Sequence, residues 1–297
     1  CMSLTNISGT ITALITPFKK KGDIDFKQLE DLIEFQIENG VQGIVVCGST
    51  GESATLKPKE KQALIIKSVE FAADRIPIIP ATGTYETELS RDLSIFAQEH
   101  GASGVLIVAP YYLKPTQDGL FEHYKIIADA LNIPVIIYNI PGRTGVNISA
   151  STQLRIANSC KNVIATKEAS GNLSQMMDII AEAPKGFSVL SGDDSLALPL
   201  IAAGGKGVIS VISNYAPKQY AECIDLAIQG KIKEAQKIHY SLYKLLELNF
   251  IEPNPAPVKY ALSLMKMAND TVRMPLLPLK IENKRLLKAA MKEQNLI

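Results

Sequence analysis

The segment Val163-Ile164-Ala165-Thr166-Lys167-Glu168-Ala169-Ser170-Gly171-Asn172 decides how the rest of the chain is interpreted. Its first residues are apolar or β-branched and are followed by polar residues and a glycine, which predicts a buried strand that ends in a loop. Lys167 is therefore expected to enter a pocket from rigid backbone. Partial desolvation favours a neutral, nucleophilic amine, and such an amine forms Schiff bases with carbonyl compounds. The alternative is a lysine that reaches solvent or pairs with Glu168.

Strand-like segments of this kind recur along the chain and alternate with helical patterns. Eight apolar runs predict strands over residues 10–16, 43–47, 77–82, 104–109, 134–139, 163–167, 188–191 and 207–212. Their near-continuous apolarity is typical of parallel strands that are buried on both faces. Helical periodicity fills the gaps, and the first helix is expected to begin with a capping box formed by Asp25 and Gln28. Eightfold alternation with short connections favours an α/β fold, a closed (β/α)8 TIM barrel, over an open doubly wound sheet.

The last eighty residues keep helical periodicity without a convincing strand. Helices are predicted over residues 217–229, 231–250, 257–267 and 283–294. We therefore predict a barrel catalytic domain over residues 1–229 and a C-terminal helical layer over residues 230–297, packed on the barrel. No linker-like or low-complexity segment indicates an independent second domain.

Composition excludes several classes of function. Lys and Arg number 31 and Asp and Glu 30, so no basic field attracts nucleic acid or an anionic membrane, and a small-molecule partner is expected. The four cysteines form no CxxC pair and the three histidines are far apart, which argues against a disulfide framework and against a metal site. No secretory signal and no run of roughly 18 apolar residues is present, and a cytoplasmic protein is expected. Cys1, in front of Met2, is set aside from the functional argument.

The segment after the second predicted strand is rich in glycine and hydroxyl groups. It runs Gly48-Ser49-Thr50-Gly51-Glu52-Ser53. Active sites of barrels lie at the C-terminal ends of the strands, and successive backbone N–H groups there form a cradle for a small anion such as a carboxylate. The alternative is an ordinary glycine-rich turn.

Tyrosines and an arginine follow the fourth and fifth predicted strands. Tyr111 and Tyr112 come after the fourth strand, and Tyr138 and Arg143 come with the fifth. A phenol relays protons during carbinolamine formation and dehydration, and a guanidinium holds a carboxylate by two parallel hydrogen bonds. The alternatives are half-buried packing for the tyrosines and a solvated surface charge for the arginine.

Glycines also mark the ends of the chain's last two predicted barrel strands. Ser191-Gly192-Asp193-Asp194 follows the seventh strand, and Gly204-Gly205-Lys206-Gly207 precedes Ile209. The second segment lacks the GxxxxGK[ST] spacing and precedes a strand, so nucleotide binding is not predicted. We expect these glycines to admit substrate close to the backbone around Ile209.

The motifs Gly48-Ser49-Thr50-Gly51-Glu52, Tyr138-Asn139-Ile140-Pro141 and Lys167-Glu168-Ala169 together resemble those of the dihydrodipicolinate synthase and N-acetylneuraminate lyase family of class I aldolases. The match extends from Thr16-Pro17 to Glu252-Pro253-Asn254-Pro255. Gly142-Arg143-Thr144-Gly145 resembles the synthase branch. The resemblance implies a barrel with a C-terminal helical layer, and a homotetramer built from two tight dimers.

The resemblance also implies roles for individual residues. Lys167 would form the Schiff base with pyruvate, and Tyr138 would act as the general acid and base. Ser49 and Tyr112 would form a proton relay with Tyr138, and Tyr112 would cross from the neighbouring subunit. The N–H groups of Ser49 and Thr50 would bind the pyruvate carboxylate, and Arg143 would bind the carboxylate of the second substrate. Ile209 and Gly192 would take part in substrate binding. Ser49 stands where the synthases usually have threonine, and its hydroxyl is expected to keep the relay.

Regulation by lysine is a further point on which the resemblance bears. Lysine-inhibited members bind lysine at the dimer cleft, at positions that match Ser53, Ala54, Pro58, Lys61, Tyr85 and Tyr111. A histidine commonly stands at the position of Lys61, and an asparagine at that of Tyr85, in strongly inhibited enzymes. Because the cation of Lys61 disfavours a second cationic ligand, weak or absent lysine inhibition is expected.

The resemblance thus predicts a lyase that condenses pyruvate with L-aspartate 4-semialdehyde on the diaminopimelate route to lysine. Covalent catalysis by Lys167 requires neither a metal nor an organic cofactor. One alternative is a related pyruvate aldolase that acts on sialic acid or on another sugar acid. The other is a barrel that binds a keto acid without turnover.

Overall fold

The computed structural model describes Leu4 and residues 7–297, so Cys1 lies outside the described residues. Eight strands pair in parallel, in the order β3-β2-β1-β8-β7-β6-β5-β4. They are Gly9–Ala13 (β1), Gly43–Val46 (β2), Ile78–Pro80 (β3), Val105–Val108 (β4), Val135–Asn139 (β5), Val163–Glu168 (β6), Ser188–Ser191 (β7) and Gly207–Ser210 (β8). A parallel bridge between Ala81 and Leu106 joins β3 to β4. The predicted (β/α)8 barrel is confirmed.

Helices follow the strands and then continue past the barrel. They are Phe26–Glu38 (α1), Pro58–Ala72 (α2), Thr87–Glu99 (α3), Gln117–Asp129 (α4), Pro141–Thr144 (α5), Ala150–Ser159 (α6), Leu173–Glu182 (α7), Asp194–Ala202 (α8), Pro217–Ile228 (α9), Ile232–Leu248 (α10), Ala256–Leu264 (α11) and Ile281–Glu293 (α12). The short helix α5 was not predicted from the sequence. None of the helices within the described residues has the length and apolarity that crossing a bilayer requires.

The interior of the barrel is filled by apolar side chains to which every strand contributes. These residues belong to a single buried cluster: Ile11, Val45, Ile79, Leu106, Ile136, Ala165, Leu190 and Ile209. A second and larger cluster lies between the strands and the helices. Because side chains alternate along a strand, a residue two positions after an inward-facing one also faces inward. Lys167, two residues after Ala165, is therefore directed toward the barrel axis near its C-terminal end.

The C-terminal helices pack against the last barrel helices. Helix α10 contacts both α8 and α9, and α12 contacts α10 and α11. The division of the chain between residues 229 and 230 remains a prediction.

Local hydrogen bonding at the start of α1 differs from the predicted capping box. Asp25 Oδ1 accepts from Gln28 N at 3.1 Å, as expected of an N-cap residue. The reciprocal bond is replaced, because Asp25 N donates to Pro17 O at 2.9 Å and Gln28 Oε1 accepts from Asn269 N at 3.4 Å. Gln28 thus contacts the C-terminal layer, and the capping-box prediction is wrong.

The glycines before β8 serve packing and do not admit substrate. Gly207 begins β8, at the end of the barrel opposite to the C-terminal ends of the strands. A Cβ atom on Gly207 would lie 2.1 Å from Gly9 O, and one on Gly205 would lie 2.9 Å from Leu200 O. Only glycine allows these close approaches of backbone to backbone. The expectation that this segment opens a path to Ile209 is wrong.

Candidate active site

A cavity of about 310 Å³ lies where β2, β3, β4 and β5 end. Its lining includes Ser49, Ser53, Ala54, Tyr111, Tyr138, Arg143, Thr144, Glu52 and, from the C-terminal layer, Asn254, Pro275 and Leu276. The lining combines apolar side chains with a few polar groups, which is the usual form of a small-ligand site.

Lys167 is buried beside this cavity. It pairs across β6 and β5 with Tyr138, and only 6% of its surface is exposed. Its Nζ lies 4.1 Å from the centroid of the Tyr138 ring. Lys167 itself does not line the cavity, but Tyr138 does. Tyr138 is therefore the residue that contacts both the cavity and the buried amine.

Glu168 is directed away from Lys167 and forms no ion pair with it. Its carboxylate accepts from Asn139 Nδ2 at 2.6 Å, from Gln153 Nε2 at 2.7 Å and from Gln175 Nε2 at 3.1 Å. Three neutral amides thus stabilise a fully buried carboxylate on the outer face of β6. The alternative in which Glu168 pairs with Lys167 is wrong.

Gly192 leaves room for the side chain of Lys167. A Cβ atom at this position would lie 2.6 Å from the Cβ of Ala169 and 3.1 Å from the Cε of Lys167. Gly192 N also donates to Glu168 O at 2.7 Å, which fixes the backbone there. A side chain at position 192 would therefore crowd both Ala169 and the side chain of Lys167.

The loop after β2 has the shape of the predicted anion cradle. Cys47 and Glu52, at φ values of 59° and 55°, turn the chain at its two ends. A Cβ atom on Gly51 would lie 3.3 Å from three backbone atoms. Neither Ser49 N–H nor Thr50 N–H donates to another described residue. Both remain available to an anion.

Sequence reasoning did not identify two residues of the C-terminal layer that hold this loop. Asn254 Nδ2 donates to Thr50 Oγ1 at 2.9 Å. Lys259 Nζ lies 2.5 Å from Glu52 Oε1, and both side chains are buried. In (β/α)8 barrels active-site residues are expected at the C-terminal ends of the strands, and neither Asn254 nor Lys259 is close in sequence to a strand end. The run Glu252-Pro253-Asn254-Pro255 was the one available signal.

Arg143 lies in α5, directly after β5. It is exposed and lines the cavity, and its guanidinium has no hydrogen bond or ion pair with any residue that the structure describes, although its backbone N donates to Ile140 O at 3.0 Å. The loop that follows it is fixed because Ile148 N donates to Asn139 Oδ1 at 3.0 Å. A free guanidinium on a supported loop suits a carboxylate ligand.

Tyr112 is exposed over 89% of its surface and does not line the cavity of its own chain. Its φ of 73° is unusual for a residue with a side chain. Tyr112 N donates to Thr144 O at 3.2 Å, which ties the segment to the cavity wall. Leu113 beside it is 63% exposed.

The predicted site residues fall into two groups. Ser49, Tyr138, Arg143, Ser53, Ala54 and Tyr111 line the cavity, and Lys167, Thr50, Tyr112, Gly192, Ile209, Lys61 and Tyr85 do not. The rings of Tyr85 and Tyr111 meet edge to face, with centroids 5.6 Å apart.

Burial lowers the pKa of Lys61 and raises that of Cys47 to about 12, so the Cys47 thiol stays protonated. No group of three His, Cys, Asp or Glu side chains in the described part of the chain could hold a metal ion.

A parallel (β/α)8 barrel with a buried lysine against a tyrosine ring, near an anion cradle, has the architecture of a Schiff-base lyase. The family model of the dihydrodipicolinate synthetase family matches residues 6–294. The 4-hydroxy-tetrahydrodipicolinate synthase of Syntrophus aciditrophicus is 50% identical over 289 residues, which cover 97% of this chain and 99% of the relative. The synthase of Prosthecochloris aestuarii is 46% identical over 296 residues, with 100% of each chain covered.

A solved structure agrees with these relatives. The crystal structure of dihydrodipicolinate synthase from Aquifex aeolicus matches with a TM-score of 0.96 at 46% identity, over 98% of this chain and 99% of that one. The chain belongs to the dihydrodipicolinate synthetase family.

Proposed function

We propose that this protein is a lyase that condenses pyruvate with L-aspartate 4-semialdehyde to give 4-hydroxy-tetrahydrodipicolinate. The observation that carries the proposal is the contact of Lys167 Nζ with the ring of Tyr138, 4.1 Å from its centroid, beside a cavity that Arg143 also lines. The names of the full-length relatives support the same reaction.

The first half of the reaction attaches pyruvate to the protein. Lys167 Nζ attacks the C2 ketone of pyruvate, and the carbinolamine loses water after Tyr138 donates a proton to its oxygen. The N–H groups of Ser49 and Thr50 bind the pyruvate carboxylate. The iminium then acidifies the methyl group, which loses a proton to give an enamine.

The second half forms the carbon–carbon bond. The enamine carbon attacks the aldehyde carbon of L-aspartate 4-semialdehyde, whose carboxylate Arg143 holds. The aldehyde oxygen takes up a proton and becomes a hydroxyl. The amine of the same substrate then attacks the imine carbon, which closes the ring and expels the Lys167 amine. The covalent catalyst is the protein's own amine, so we expect no metal or organic cofactor.

We also propose that the subunits assemble as a homotetramer and that the partner subunit's Tyr112 completes the proton relay of Tyr138 and Ser49. The exposure of Tyr112, its left-handed backbone and the exposed Leu113 beside it support a role in an interface.

A cytoplasmic location is proposed as well, since Cys47, Cys160 and Cys223 are buried free thiols.

Mixing two inactive variants tests the proposed crossing of Tyr112. Lys167→Ala and Tyr112→Phe are each expected to have little activity alone. After unfolding and refolding together, a mixed dimer gains one intact site, because Lys167 of one chain meets the partner's Tyr112. Recovered activity supports the crossing. Absence of recovery, with mixed oligomers present in native mass spectra, contradicts it.

The proposed reaction is tested by two assays on the purified protein. Borohydride in the presence of pyruvate is expected to add one reduced pyruvate at Lys167, as measured by peptide mass, and Lys167→Ala abolishes the addition. Turnover is expected with pyruvate and L-aspartate 4-semialdehyde, and cleavage of N-acetylneuraminate is not. Addition without turnover would favour a binding protein, and lack of addition would exclude every Schiff-base mechanism.

Arg143 distinguishes the synthase from a sugar-acid aldolase. Replacement of Arg143 by leucine is expected to lower kcat/KM for the aldehyde by about 10- to 100-fold, the value of a charge-assisted hydrogen-bond pair, and to leave borohydride trapping of pyruvate unchanged. Arg143→Lys is expected to recover only part of the loss, since an ammonium lacks the planar fork. An unchanged kcat/KM for the aldehyde would remove Arg143 from the site.

A further inference from the structure

Asn254 belongs to the C-terminal layer, yet its side chain reaches the anion cradle. Its Nδ2 donates to Thr50 Oγ1 at 2.9 Å, across 204 residues of sequence, and the contact is buried. Asn254 also lines the cavity. Its buried Oδ1 has no hydrogen-bond partner within the described part of the chain. A buried amide oxygen without a hydrogen-bond partner is costly and therefore unusual in a folded protein. Here it lies at the proposed ligand site.

The donor in this contact determines what Thr50 can offer to a ligand. A threonine hydroxyl has one proton to donate and two lone pairs that accept. Asn254 occupies one lone pair, which leaves the Thr50 proton to be donated elsewhere. No residue that the structure describes accepts it. The Thr50 proton is therefore available to a bound ligand.

We propose that Asn254 is a positioning residue that turns the Thr50 hydroxyl toward the carboxylate of bound pyruvate. The cradle then offers an oriented O–H in addition to the N–H groups of Ser49 and Thr50. The inference rests on the proposed function, because it takes pyruvate as the ligand of this loop. It assigns to the C-terminal layer a part in substrate recognition.

A second contact between the same two segments holds Asn254 in register with Thr50. Lys259, five residues after Asn254, forms the buried ion pair with Glu52, two residues after Thr50. Lys259 Nζ also donates to Thr271 O at 2.9 Å. Because both segments are fixed at two points, the Thr50 hydroxyl needs little reorganisation when the anion binds.

The neutral amide of Asn254 also matters. A carboxylate at this position can only accept, so it would take the Thr50 proton and turn the hydroxyl away from the ligand. It would also place a negative charge near the substrate carboxylate. Asn254→Asp, which keeps the volume of the side chain, is therefore expected to weaken pyruvate binding more than Asn254→Ala does.

The experiment measures the pyruvate concentration that gives half-maximal borohydride trapping at Lys167. Asn254→Ala and Thr50→Val are each expected to raise it by about 3- to 10-fold, the value of one hydrogen bond. In the Thr50→Val background, Asn254→Ala is expected to add nothing, because the amide acts through that hydroxyl. A further rise in the double variant would overturn the inference.

Steady-state kinetics separate positioning from general damage. Pyruvate reacts before the aldehyde adds, so kcat/KM for each substrate reports on its own half-reaction. Asn254→Ala and Asn254→Asp are expected to lower kcat/KM for pyruvate and to leave kcat/KM for the aldehyde unchanged. Equal losses in both would indicate a merely structural role and overturn the inference.

Asn249 provides the matched control. It is a fully buried asparagine of the same layer, accepts from Tyr215 Oη at 2.9 Å, and does not line the cavity. Asn249→Ala is expected to lower thermal stability without changing the half-saturating pyruvate concentration. If Asn249→Ala raised that concentration as much as Asn254→Ala does, a specific role for Asn254 would be contradicted. If wild-type protein traps no pyruvate, the proposed function fails. If Asn254→Ala and Asn254→Asp trap it with unchanged half-saturation, only this inference fails.

Discussion

Glu52 Oε1 and Lys259 Nζ lie 2.5 Å apart, and the two side chains are exposed over only 1% and 0% of their surfaces. The ion pair joins the loop after β2 to helix α11. Burial lowers the pKa of Lys259 to about 8, and the negative charge of Glu52 opposes that shift. Two charges withdrawn from water depend on each other, because either one alone would be buried without compensation.

Replacement of Lys259 by methionine is therefore expected to destabilise the protein severely. It leaves Glu52 as an unpaired buried charge, and the free energy of unfolding should fall by about 3–5 kcal/mol in urea titrations at neutral pH. The double variant Lys259→Met with Glu52→Gln should recover much of the loss, since no charge then remains buried. Lys67→Met, which breaks the exposed pair of Lys67 with Glu70, is the control and should cost less than about 1 kcal/mol. A similar cost for both lysines would contradict this account.

Gly192→Ala is expected to displace Lys167 without removing it. The new methyl group would lie 2.6 Å from Ala169 Cβ, so position 192 or 169 must shift, and 3.1 Å from Lys167 Cε, so the lysine must give way by a few tenths of an ångström. A displacement of about 1 Å at a reacting group costs roughly 100-fold in rate, and because the shift here is smaller we expect kcat to fall by about 3- to 10-fold. Gly142→Ala is the control, because apart from its chain neighbours no described residue has an atom within 4 Å of the added carbon. Full activity in Gly192→Ala would show that the lysine has room to adapt.

The barrel could be predicted from local patterns, because each buried parallel strand corresponds to a short apolar run in the sequence. The same logic directs attention to Lys167, Tyr138 and Arg143, which lie at or just after strand ends. The first strand was predicted over residues 10–16 but ends at Ala13. Beyond Ala13 the chain stays ordered through contacts with distant residues, such as Ile15 N to Asn214 Oδ1 at 3.0 Å.

Contacts between distant segments could not be predicted in this way. Asn254 and Lys259 reach the cradle across about two hundred residues, and no periodicity records which side chains meet at that distance. Glycine is ambiguous for a related reason. Gly192 gives room to Lys167, whereas Gly207 allows a strand to approach Gly9, and the two look alike in sequence.

Lysine is expected to inhibit weakly or not at all. Lys61 lies in α2, half-buried, and no described carboxylate forms an ion pair with it. Burial lowers the pKa of Lys61 because desolvation opposes its positive charge, and we expect a second cation bound beside it to be opposed in the same way. Micromolar lysine should therefore leave the steady-state rate unchanged. Lys61→Ala is expected to lower the lysine concentration needed for inhibition, and half-inhibition of the unaltered protein by micromolar lysine would refute the argument.

Acid is expected to destabilise the protein through His123, a buried residue of α4. Its Nδ1 lies 2.9 Å from Thr87 Oγ1, and its Nε2 has no partner among the described residues. Burial lowers the pKa of His123 from 6.5 to about 4. Between these two values the unfolded chain binds the proton and the folded chain does not, so stability present above pH 6.5 is lost as the pH falls toward 4. Asp194 acts in the opposite direction, since burial raises its pKa from 3.8 to about 6.

His123→Gln removes the pH-dependent contribution of His123 to stability and leaves that of Asp194. Between pH 7 and pH 5, wild-type protein should lose about 1–2 kcal/mol of unfolding free energy relative to His123→Gln. Urea titrations at pH 7, 6 and 5 measure the difference, and a change in slope with pH matters more than the absolute stability of the variant. His100→Gln, at an exposed histidine, is the control and should follow the wild-type dependence. Parallel curves for wild type and His123→Gln would mean that the buried imidazole titrates alike in the folded and unfolded chains.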